Sequence, residues 1–313
     1  MGINIKLEEL IYPYFVVPGR NKKEKIRSFL GQFRFSADLL LEDIAEAGKL
    51  GIDKVLLFGV PDRKDALGSS AYEDNIVSTA VRDIKKEFPD MTVFTDVCLC
   101  AYTDHGHCGV INNLKAKNYS INNKKTLKVL AKIALSHAEA GADWVAPSAM
   151  AKGQVAAIRK ALNENGYTGT NILGYSAKFV SNFYGPFREA ADSSPKFGDR
   201  SAYQLDYADS DRAIREISDD IAEGADMVMV KPAFGYLDII REAKARFGYP
   251  LAAYNVSGEY AMVKAYVKGA GINGQGAETE RKLVIEILTS IKRAGADLII
   301  TYHAKDMARW LKE

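Results

Sequence analysis

Short apolar segments rich in β-branched residues alternate with longer amphipathic segments along the whole chain. The short segments are nearly continuous apolar runs, which is typical of strands buried on both faces of a parallel sheet. The longer segments carry apolar residues at helical spacing. The pattern predicts strands at residues 10–17, 54–60, 92–97, 143–147, 172–177, 227–230, 251–256 and 298–302. It predicts helices at residues 39–50, 75–88, 124–140, 154–165, 210–223, 236–247, 281–294 and about 306–311.

Three predicted helix-to-strand connections contain the same tripeptide, Gly-Ala-Asp, beginning at Gly141, Gly224 and Gly295. Glycine suits the left-handed C-cap of a helix, so the repeat marks equivalent corners. Eight strand–helix units favour a (β/α)₈ TIM barrel over an open doubly wound sheet, which would show a phosphate-cradling glycine loop after its first strand. We therefore expect one domain over residues 1–313, with a short N-terminal arm at 1–9. The glycine-rich stretch 269–276 follows no predicted strand and is interpreted as a surface loop.

Composition, net charge and cysteine count limit the kinds of protein that this sequence can encode. Hydrophobic residues make up 47% of the chain and charged residues 26%, as in an ordinary globular enzyme. A net charge of +2 gives no case for a nucleic-acid or membrane partner. The chain begins without an apolar signal segment, and three cysteines cannot all pair internally. These observations predict a cytoplasmic protein with reduced thiols.

All three cysteines, Cys98, Cys100 and Cys108, fall within eleven residues. Three thiolates suit Zn²⁺ and leave one position open for water or substrate, as in a catalytic zinc site. The alternatives are three unrelated buried thiols, or two that pair with each other. His105 and His107 are spare ligands that rank behind the sulfurs.

Two lysines end neighbouring predicted strands, Lys178 the fifth and Lys231 the sixth. The chemistry of such barrels lies at the end of the barrel where the strands finish, here called the mouth. Both amines are therefore expected near one another at the mouth. Repulsion and partial burial lower an amine pKa, which frees the lone pair for attack on a carbonyl and Schiff-base formation. Alternatively, either lysine extends to solvent or pairs with a carboxylate. Asp96 on the third strand could orient a metal ligand or a lysine.

The segment 179–209 is too long for an ordinary strand-to-helix loop and has no clear periodicity. Its aromatic residues and spaced arginines predict a lid that excludes water and clamps a carboxylate. A solvated excursion with incidental charges is the alternative. Ser257 and Tyr302 end the seventh and eighth strands, where their hydroxyls could bind a carboxylate or equally cap a helix or close a turn.

Taken together, these motifs resemble those of the porphobilinogen synthase (δ-aminolevulinic acid dehydratase) family, over nearly the whole chain. The specific blocks are Asp96-Val-Cys-Leu-Cys100, His105-Gly-His-Cys-Gly109, Tyr175-Ser-Ala-Lys178, Phe183-Tyr-Gly-Pro-Phe-Arg188, Met229-Val-Lys-Pro232, Tyr236-Leu-Asp-Ile239 and Val256-Ser-Gly-Glu-Tyr260. The resemblance implies condensation of two 5-aminolevulinate molecules to porphobilinogen with release of two waters, an early step of tetrapyrrole and heme biosynthesis. It also implies a homo-oligomer, at least a dimer.

The resemblance assigns roles by position. Lys231 and Lys178 match the two Schiff-base lysines, and Cys98, Cys100 and Cys108 match the zinc ligands of the zinc-dependent branch. Glu216 matches a glutamate that in some members binds an accessory Mg²⁺. The residues implied to contact substrate are Ser257 and Tyr302 for the first carboxylate, Arg188, Arg200 and Gln204 for the second, and Phe183 and Tyr175 within the matching blocks.

The chain departs from the family pattern after the fourth strand. Where the family usually reads Pro-Ser-Asp-Met-Met-Asp-Gly-Arg, Ala149 replaces an acidic residue and Lys152 reverses a charge. The N-terminal arm is also shorter than usual, which argues against octamer assembly. Two alternative hypotheses follow: a divergent paralogue that condenses another amino-ketone, and a catalytically silent relative that binds zinc or a tetrapyrrole precursor.

Overall fold

The computed structural model describes residues 5–73, 75–112, 119–269 and 276–312. Its strands are β1 (Leu10–Val16), β2 (Lys23–Lys25), β3 (Phe33–Phe35), β4 (Lys54–Gly59), β5 (Thr92–Val97), β6 (Trp144–Pro147), β7 (Asn171–Lys178), β8 (Met227–Lys231), β9 (Leu251–Asn255) and β10 (Leu298–Thr301). Its helices are α1 (Ala37–Leu50), α2 (Ile76–Glu87), α3 (Asn123–Glu139), α4 (Gln154–Glu164), α5 (Gly185–Ala190), α6 (Ser210–Ala222), α7 (Leu237–Phe247), α8 (Ser257–Gly269), α9 (Gly276–Ala294) and α10 (Ala304–Trp310).

Eight parallel strands close into a barrel in the order β1-β4-β5-β6-β7-β8-β9-β10. Closure is made by β10 and β1, which pair at Leu10 opposite Ile299. The predicted (β/α)₈ TIM barrel is therefore confirmed, and the open doubly wound sheet is excluded. All eight strands run in one direction, so their carboxyl ends lie at the same mouth.

Alternating strand residues fill the barrel. Phe15 on β1, Phe58 on β4, Tyr175 on β7 and Tyr254 on β9 belong to one buried cluster inside it. A second cluster lies between the strands and the helices. Because side chains alternate along a strand, the inward set continues to the strand ends and supplies the floor of the mouth.

The predicted strands and helices agree with the observed ones to within one or two residues at most ends, but three features besides the short 3₁₀ helices were not predicted. The first is the antiparallel hairpin of β2 and β3, whose strands have three residues each. The second is α5, inside the segment interpreted as a lid without periodicity. The third is α8, whose first turn buries polar residues such as Ser257 and Glu259 and therefore lacks an amphipathic signature.

Two predicted features fall partly outside the described residues. Gly269 ends α8 and Gly276 begins α9, and the rest of the predicted glycine-rich loop lies outside the described residues. Of the predicted N-terminal arm, residues 1–4 also lie outside them, whereas Ile5 is buried and Leu7–Glu9 form a 3₁₀ turn. Among the helices that the structure describes, none is long and apolar enough to cross a membrane.

The repeated Gly-Ala-Asp corners pin neighbouring strands together at the end of the barrel opposite the mouth. The glycines adopt positive φ values of 98°, 96° and 128°, as predicted for left-handed caps. Each aspartate carboxylate then accepts a backbone N–H of the preceding barrel strand: Asp143 from Val93 (2.8 Å), Asp226 from Ile172 (2.7 Å) and Asp297 from Leu251 (2.8 Å). A basic side chain also pairs with each aspartate: Lys85, Arg159 and Lys244, respectively.

Replacing one corner aspartate should destabilise the barrel. Asp226→Ala leaves the Ile172 N–H without its side-chain acceptor and removes the carboxylate partner of Arg159, and we expect a loss of about 1–3 kcal/mol in the free energy of unfolding. Urea denaturation measures the free energy of unfolding of each variant. Glu164→Gln, on the exposed face of α4, is the matched control and should change the free energy by less than about 0.5 kcal/mol. Equal stability of the two variants would contradict the role of these corners.

Candidate active site

The two lysines occupy paired positions at the mouth. Lys178 is the last residue of β7, Lys231 is the last residue of β8, and the two are partners in the strand register. Their exposed fractions are only 6% and 4%. Neither side chain extends to solvent, so the structure excludes that alternative for both.

An aromatic floor contacts both amines. The Tyr175 ring centroid lies 5.5 Å from Lys178 Nζ and 5.0 Å from Lys231 Nζ. Lys231 Nζ lies closer still to the Tyr254 ring, at 3.9 Å. Lys178 Nζ donates a hydrogen bond of 2.5 Å to the carbonyl oxygen of Ser148. The two amines therefore share one pocket but have different partners.

This environment changes the protonation of Lys231. Burial is the main cause that lowers its pKa well below the ordinary value, and the ammonium of Lys178 lowers it further. A neutral amine is the form that attacks a ketone. Burial therefore favours the neutral, nucleophilic form of Lys231 more than water would.

Asp96, on β5, is the carboxylate beside the amines. Its Oδ1 is buried and has no hydrogen-bond partner among the described residues. Burial raises the pKa of Asp96 to about 6, although a hydrogen bond from Ser148 and the charges of the two lysines oppose the rise. Such a group can exchange a proton near neutral pH.

The three cysteines meet at the same mouth. All are buried and free, and their sulfurs lie within 4.8 Å of one another, with 3.5 Å between the Sγ atoms of Cys98 and Cys100. Neither scattered thiols nor a pair joined by a disulfide describes this arrangement. Cys98 and Cys100 follow β5 in a turn instead of lying on the strand, so the turn brings their sulfurs together.

One thiol of this cluster is stabilised as a thiolate. Hydrogen bonds from Cys100 and Cys98 hold the pKa of Cys108 well below its usual value, and the charge of Arg200 contributes. A hydrogen bond with Cys100 raises the pKa of Cys98 instead. Three buried sulfurs of this kind are a donor set that fits a soft divalent ion.

The two histidines of the loop do not join the sulfurs as ligands. His107 contacts the Tyr203 hydroxyl through Nδ1 (3.1 Å) and the Phe197 carbonyl oxygen through Nε2 (3.0 Å). His105 Nδ1 accepts the His107 N–H at 3.0 Å. The His107 ring therefore connects the cysteine loop to segment 179–209, whereas the His105 ring bonds within the loop, and the expectation of spare ligands gains no support.

A second group of ligand-type atoms consists of Glu280, His303 and Asp306. Lys264 already lies against it, in contact with the Glu280 carboxylate and 3.8 Å from Asp306 Oδ2. Since a lysine balances these carboxylates, we assign metal-binding capacity to the cysteines.

The segment 179–209 lies over the mouth of the barrel. Hydrogen bonds hold it at two places, one in its first half and one in its second. Glu189, on α5, accepts the backbone N–H groups of Arg27 and Ser28 from the hairpin, at 3.0 and 3.1 Å. Further along, Arg200 donates to the carbonyl oxygen of Gly106 in the cysteine loop, at 3.0 Å. A Cβ at Gly106 would lie 2.3 Å from the Ser194 carbonyl oxygen, so the close approach of lid and loop requires glycine there.

Three polar side chains of the lid have buried atoms without partners among the described residues. These atoms are Nε of Arg188, Nε of Arg200 and both amide atoms of Gln204. Buried polar groups are normally satisfied, and unpaired guanidinium nitrogens favour an anion. The two guanidinium nitrogens are donors of the kind that the predicted carboxylate clamp would use.

Ser257 and Tyr302 make protein contacts. The Ser257 hydroxyl donates to the Phe183 carbonyl oxygen (3.2 Å) and accepts the Phe187 N–H (3.0 Å). The Tyr302 hydroxyl lies 3.0 Å from that of Tyr254. Both predicted hydroxyls are at the mouth, and the Ser257 hydroxyl joins α8 to the distant segment that contains Phe183 and Phe187. The Phe183 side chain is 37% exposed.

A cavity of about 410 Å³ lies beside the cysteine loop. Its lining includes Cys108, Ala149, Lys152, Arg212 and Glu216. Glu216 lies 3.6 Å from Arg212 Nε. It belongs to no cluster of three metal-type ligands among the described residues. The Mg²⁺ assignment for Glu216 therefore stays a prediction.

Sequence reasoning gave no role at the lysines to four groups that lie against them: the rings of Tyr184, Phe187 and Tyr254 and the Ser148 carbonyl. Tyr254 is inward-facing by its two-residue spacing from Ala252 on β9, and that periodicity could have identified it. A backbone carbonyl leaves no sequence signal.

Comparison with known proteins agrees with this geometry. The profile of the family described as delta-aminolevulinic acid dehydratase matches residues 2–310. A protein of that name from Bacillus subtilis (strain 168) is 50% identical over 306 residues, covering 97% of this chain and 91% of the relative. One from Methanothermus sociabilis is 53% identical over 301 residues, covering 96% and 90%. The crystal structure of the Toxoplasma gondii ME49 enzyme with its reaction product porphobilinogen superimposes with a TM-score of 0.92 at 41% identity, covering 98% of this chain and 86% of that one.

Removing one sulfur should abolish tight binding of a soft metal. Cys108→Ser takes away a ligand, so affinity should fall by more than the roughly 10–100-fold that loss of an outer partner costs. Titration with Co²⁺ reports it through the sulfur-to-metal charge-transfer band in the near ultraviolet. The control His303→Gln alters the other ligand-type group and should titrate like wild type. An unchanged band in Cys108→Ser would contradict the assignment.

Proposed function

Because the chain belongs to the delta-aminolevulinic acid dehydratase family, we propose that it condenses two molecules of 5-aminolevulinate to porphobilinogen with loss of two waters. The observation that carries the proposal is the pair of buried lysines at adjoining strand ends. A ketone substrate needs an amine to form an imine, and two ketones need two.

We infer that each substrate is first held as a Schiff base. The neutral amine of Lys231 attacks one ketone carbon, and loss of water leaves the imine; Lys178 holds the second substrate in the same way. Asp96, with a pKa raised to about 6 by burial, accepts and returns protons beside the two amines. The aromatic floor of Tyr175 and Tyr254 keeps water away from the nitrogens.

The substrate carboxylates are assigned to two sets of donors. Arg188, Arg200 and Gln204 bind one carboxylate, a role that their unpaired buried atoms support. Ser257 and Tyr302 bind the carboxylate of the substrate that Lys231 holds, exchanging their present protein partners for it. Phe183 covers the site from the lid.

The metal in this proposal is Zn²⁺, held by Cys98, Cys100 and Cys108. When bound, it would supply Lewis acidity beside the amines. Mg²⁺ at Glu216 is a further, separate assignment. We place the protein in the cytoplasm, because a thiolate site requires a reducing compartment.

We further propose a single domain over the whole chain, with residues 179–209 as its lid, that acts as a homo-oligomer. The two alternatives gain no support. The lysine pair argues against a catalytically silent relative, and relatives at about 50% identity share the dehydratase name, which argues against another amino-ketone.

Substituting either lysine should stop product formation. Lys231→Met and Lys178→Met should each lower kcat on the order of 10³-fold or more, because removal of a nucleophile leaves only binding. The measurement is pyrrole colour from 5-aminolevulinate, with borohydride reduction and peptide mass spectrometry to locate adducts. Lys160→Met, on the exposed face of α4, is the control and should keep full activity. Wild-type turnover in either active-site variant would overturn the proposal.

A chelator should abolish turnover, and added Zn²⁺ should restore it, because the thiols fit a soft ion. Pyrrole formation is followed before chelation, after it, and after addition of Zn²⁺ or Mg²⁺ alone. Full recovery with Mg²⁺ alone, or indifference to the chelator, would count against zinc at the cysteines.

A further inference from the structure

Glu259, in the first turn of α8, is a buried carboxylate that takes no part in the proposed reaction. Only 3% of it is exposed. Its Oε1 accepts the Phe234 N–H at 2.8 Å, and its Oε2 accepts the Val256 N–H at 2.7 Å and the Asn255 side-chain amide at 3.0 Å. Its contacts are hydrogen-bond donors from two neighbouring strand ends.

The network continues to a third strand end. The Asn255 Oδ1 accepts the Thr301 hydroxyl at 2.9 Å, and the Thr301 Oγ1 accepts the His303 N–H at 3.2 Å. All of these side chains are buried. One hydrogen-bonded chain therefore crosses the carboxyl ends of β8, β9 and β10.

Each of these three strand ends carries one residue of the proposed reaction. Lys231 lies three residues before Phe234, Ser257 directly follows Val256, and Tyr302 lies between Thr301 and His303. In the proposed function, Lys231 holds the ketone carbon of one substrate molecule while Ser257 and Tyr302 hold its carboxylate. The distance between these groups must match a substrate of fixed length.

We propose that Glu259 is a positioning residue that sets the Lys231 strand end against the strand ends bearing Ser257 and Tyr302. The inference rests on the proposed function and adds the group that fixes its substrate spacing. A carboxylate is required because donors approach both of its oxygens. A glutamine would offer one oxygen and turn its NH₂ toward a backbone N–H. Misplacement by about 1 Å can cost a factor on the order of 100 in rate.

The experiment compares Glu259→Gln with wild type using 4-oxopentanoate, a keto acid that forms one imine and cannot complete the condensation. After borohydride reduction, mass spectrometry gives the adduct rate at each lysine separately. We expect the rate at Lys231 to fall about 10–100-fold while the rate at Lys178 stays within about twofold of wild type. In turnover with 5-aminolevulinate, kcat/KM should fall by a similar factor.

A matched control separates positioning from general destabilisation. Asp220 is another buried carboxylate, on α6, whose pKa burial raises to about 7, as burial does for Glu259. Asp220→Asn should leave the ratio of the two adduct rates unchanged. If Glu259→Gln does not fold, Thr301→Val breaks the network at Asn255 and should shift the same ratio in the same direction.

The outcomes are distinct for the two proposals. Wild-type adduct rates at both lysines in a folded Glu259→Gln protein would overturn the positioning role, as would an equal fall at both. Failure of the wild-type protein to form a pyrrole would refute the proposed function. The keto-acid measurement does not depend on turnover, so it still reads the geometry of the site.

Discussion

The burial of two amines at adjoining strand ends is the constraint on which the rest of the structure depends. Lys178 and Lys231 are register partners in a closed parallel barrel, so their side chains cannot avoid each other at the mouth. Taking both charges out of water would be costly. The pocket resolves this by favouring a neutral Lys231, and the Tyr254 ring at 3.9 Å stabilises the fraction that stays protonated.

The mouth that holds the amines is also the place where segment 179–209, the predicted lid, meets the cysteine loop. The lid is anchored to the hairpin through Glu189 and to the cysteine loop through Arg200. Arg200 also contributes to the low pKa of Cys108. The charge state of the sulfurs and the position of the lid are therefore linked through one buried guanidinium.

Much of this arrangement could be predicted from the sequence, for reasons that differ by residue. The strands were identified because burial on both faces leaves continuous apolar runs, and Lys178 and Lys231 stand out as charges directly after such runs. The hairpin could not be predicted, because three-residue strands are too short for a periodic signal. The protein partners of Ser257 and Tyr302 depend on residues distant in the chain. The turn that gathers Cys98 and Cys100 likewise follows from packing, although their spacing indicated the cluster.

Ala149 is consistent with the low pKa of Lys231. It is buried, directly follows Ser148 and lines the cavity that Cys108 also lines. An aspartate there, as is usual in the family, would add a negative charge close to Lys178, whose ammonium contacts the Ser148 carbonyl. A nearby carboxylate stabilises an ammonium and raises its pKa. With alanine, Asp96 is the carboxylate that raises the pKa of Lys231 among the described residues, and burial outweighs it. With alanine at this position burial is the main influence on the pKa of Lys231, so the loss of this carboxylate is compatible with imine formation at that lysine.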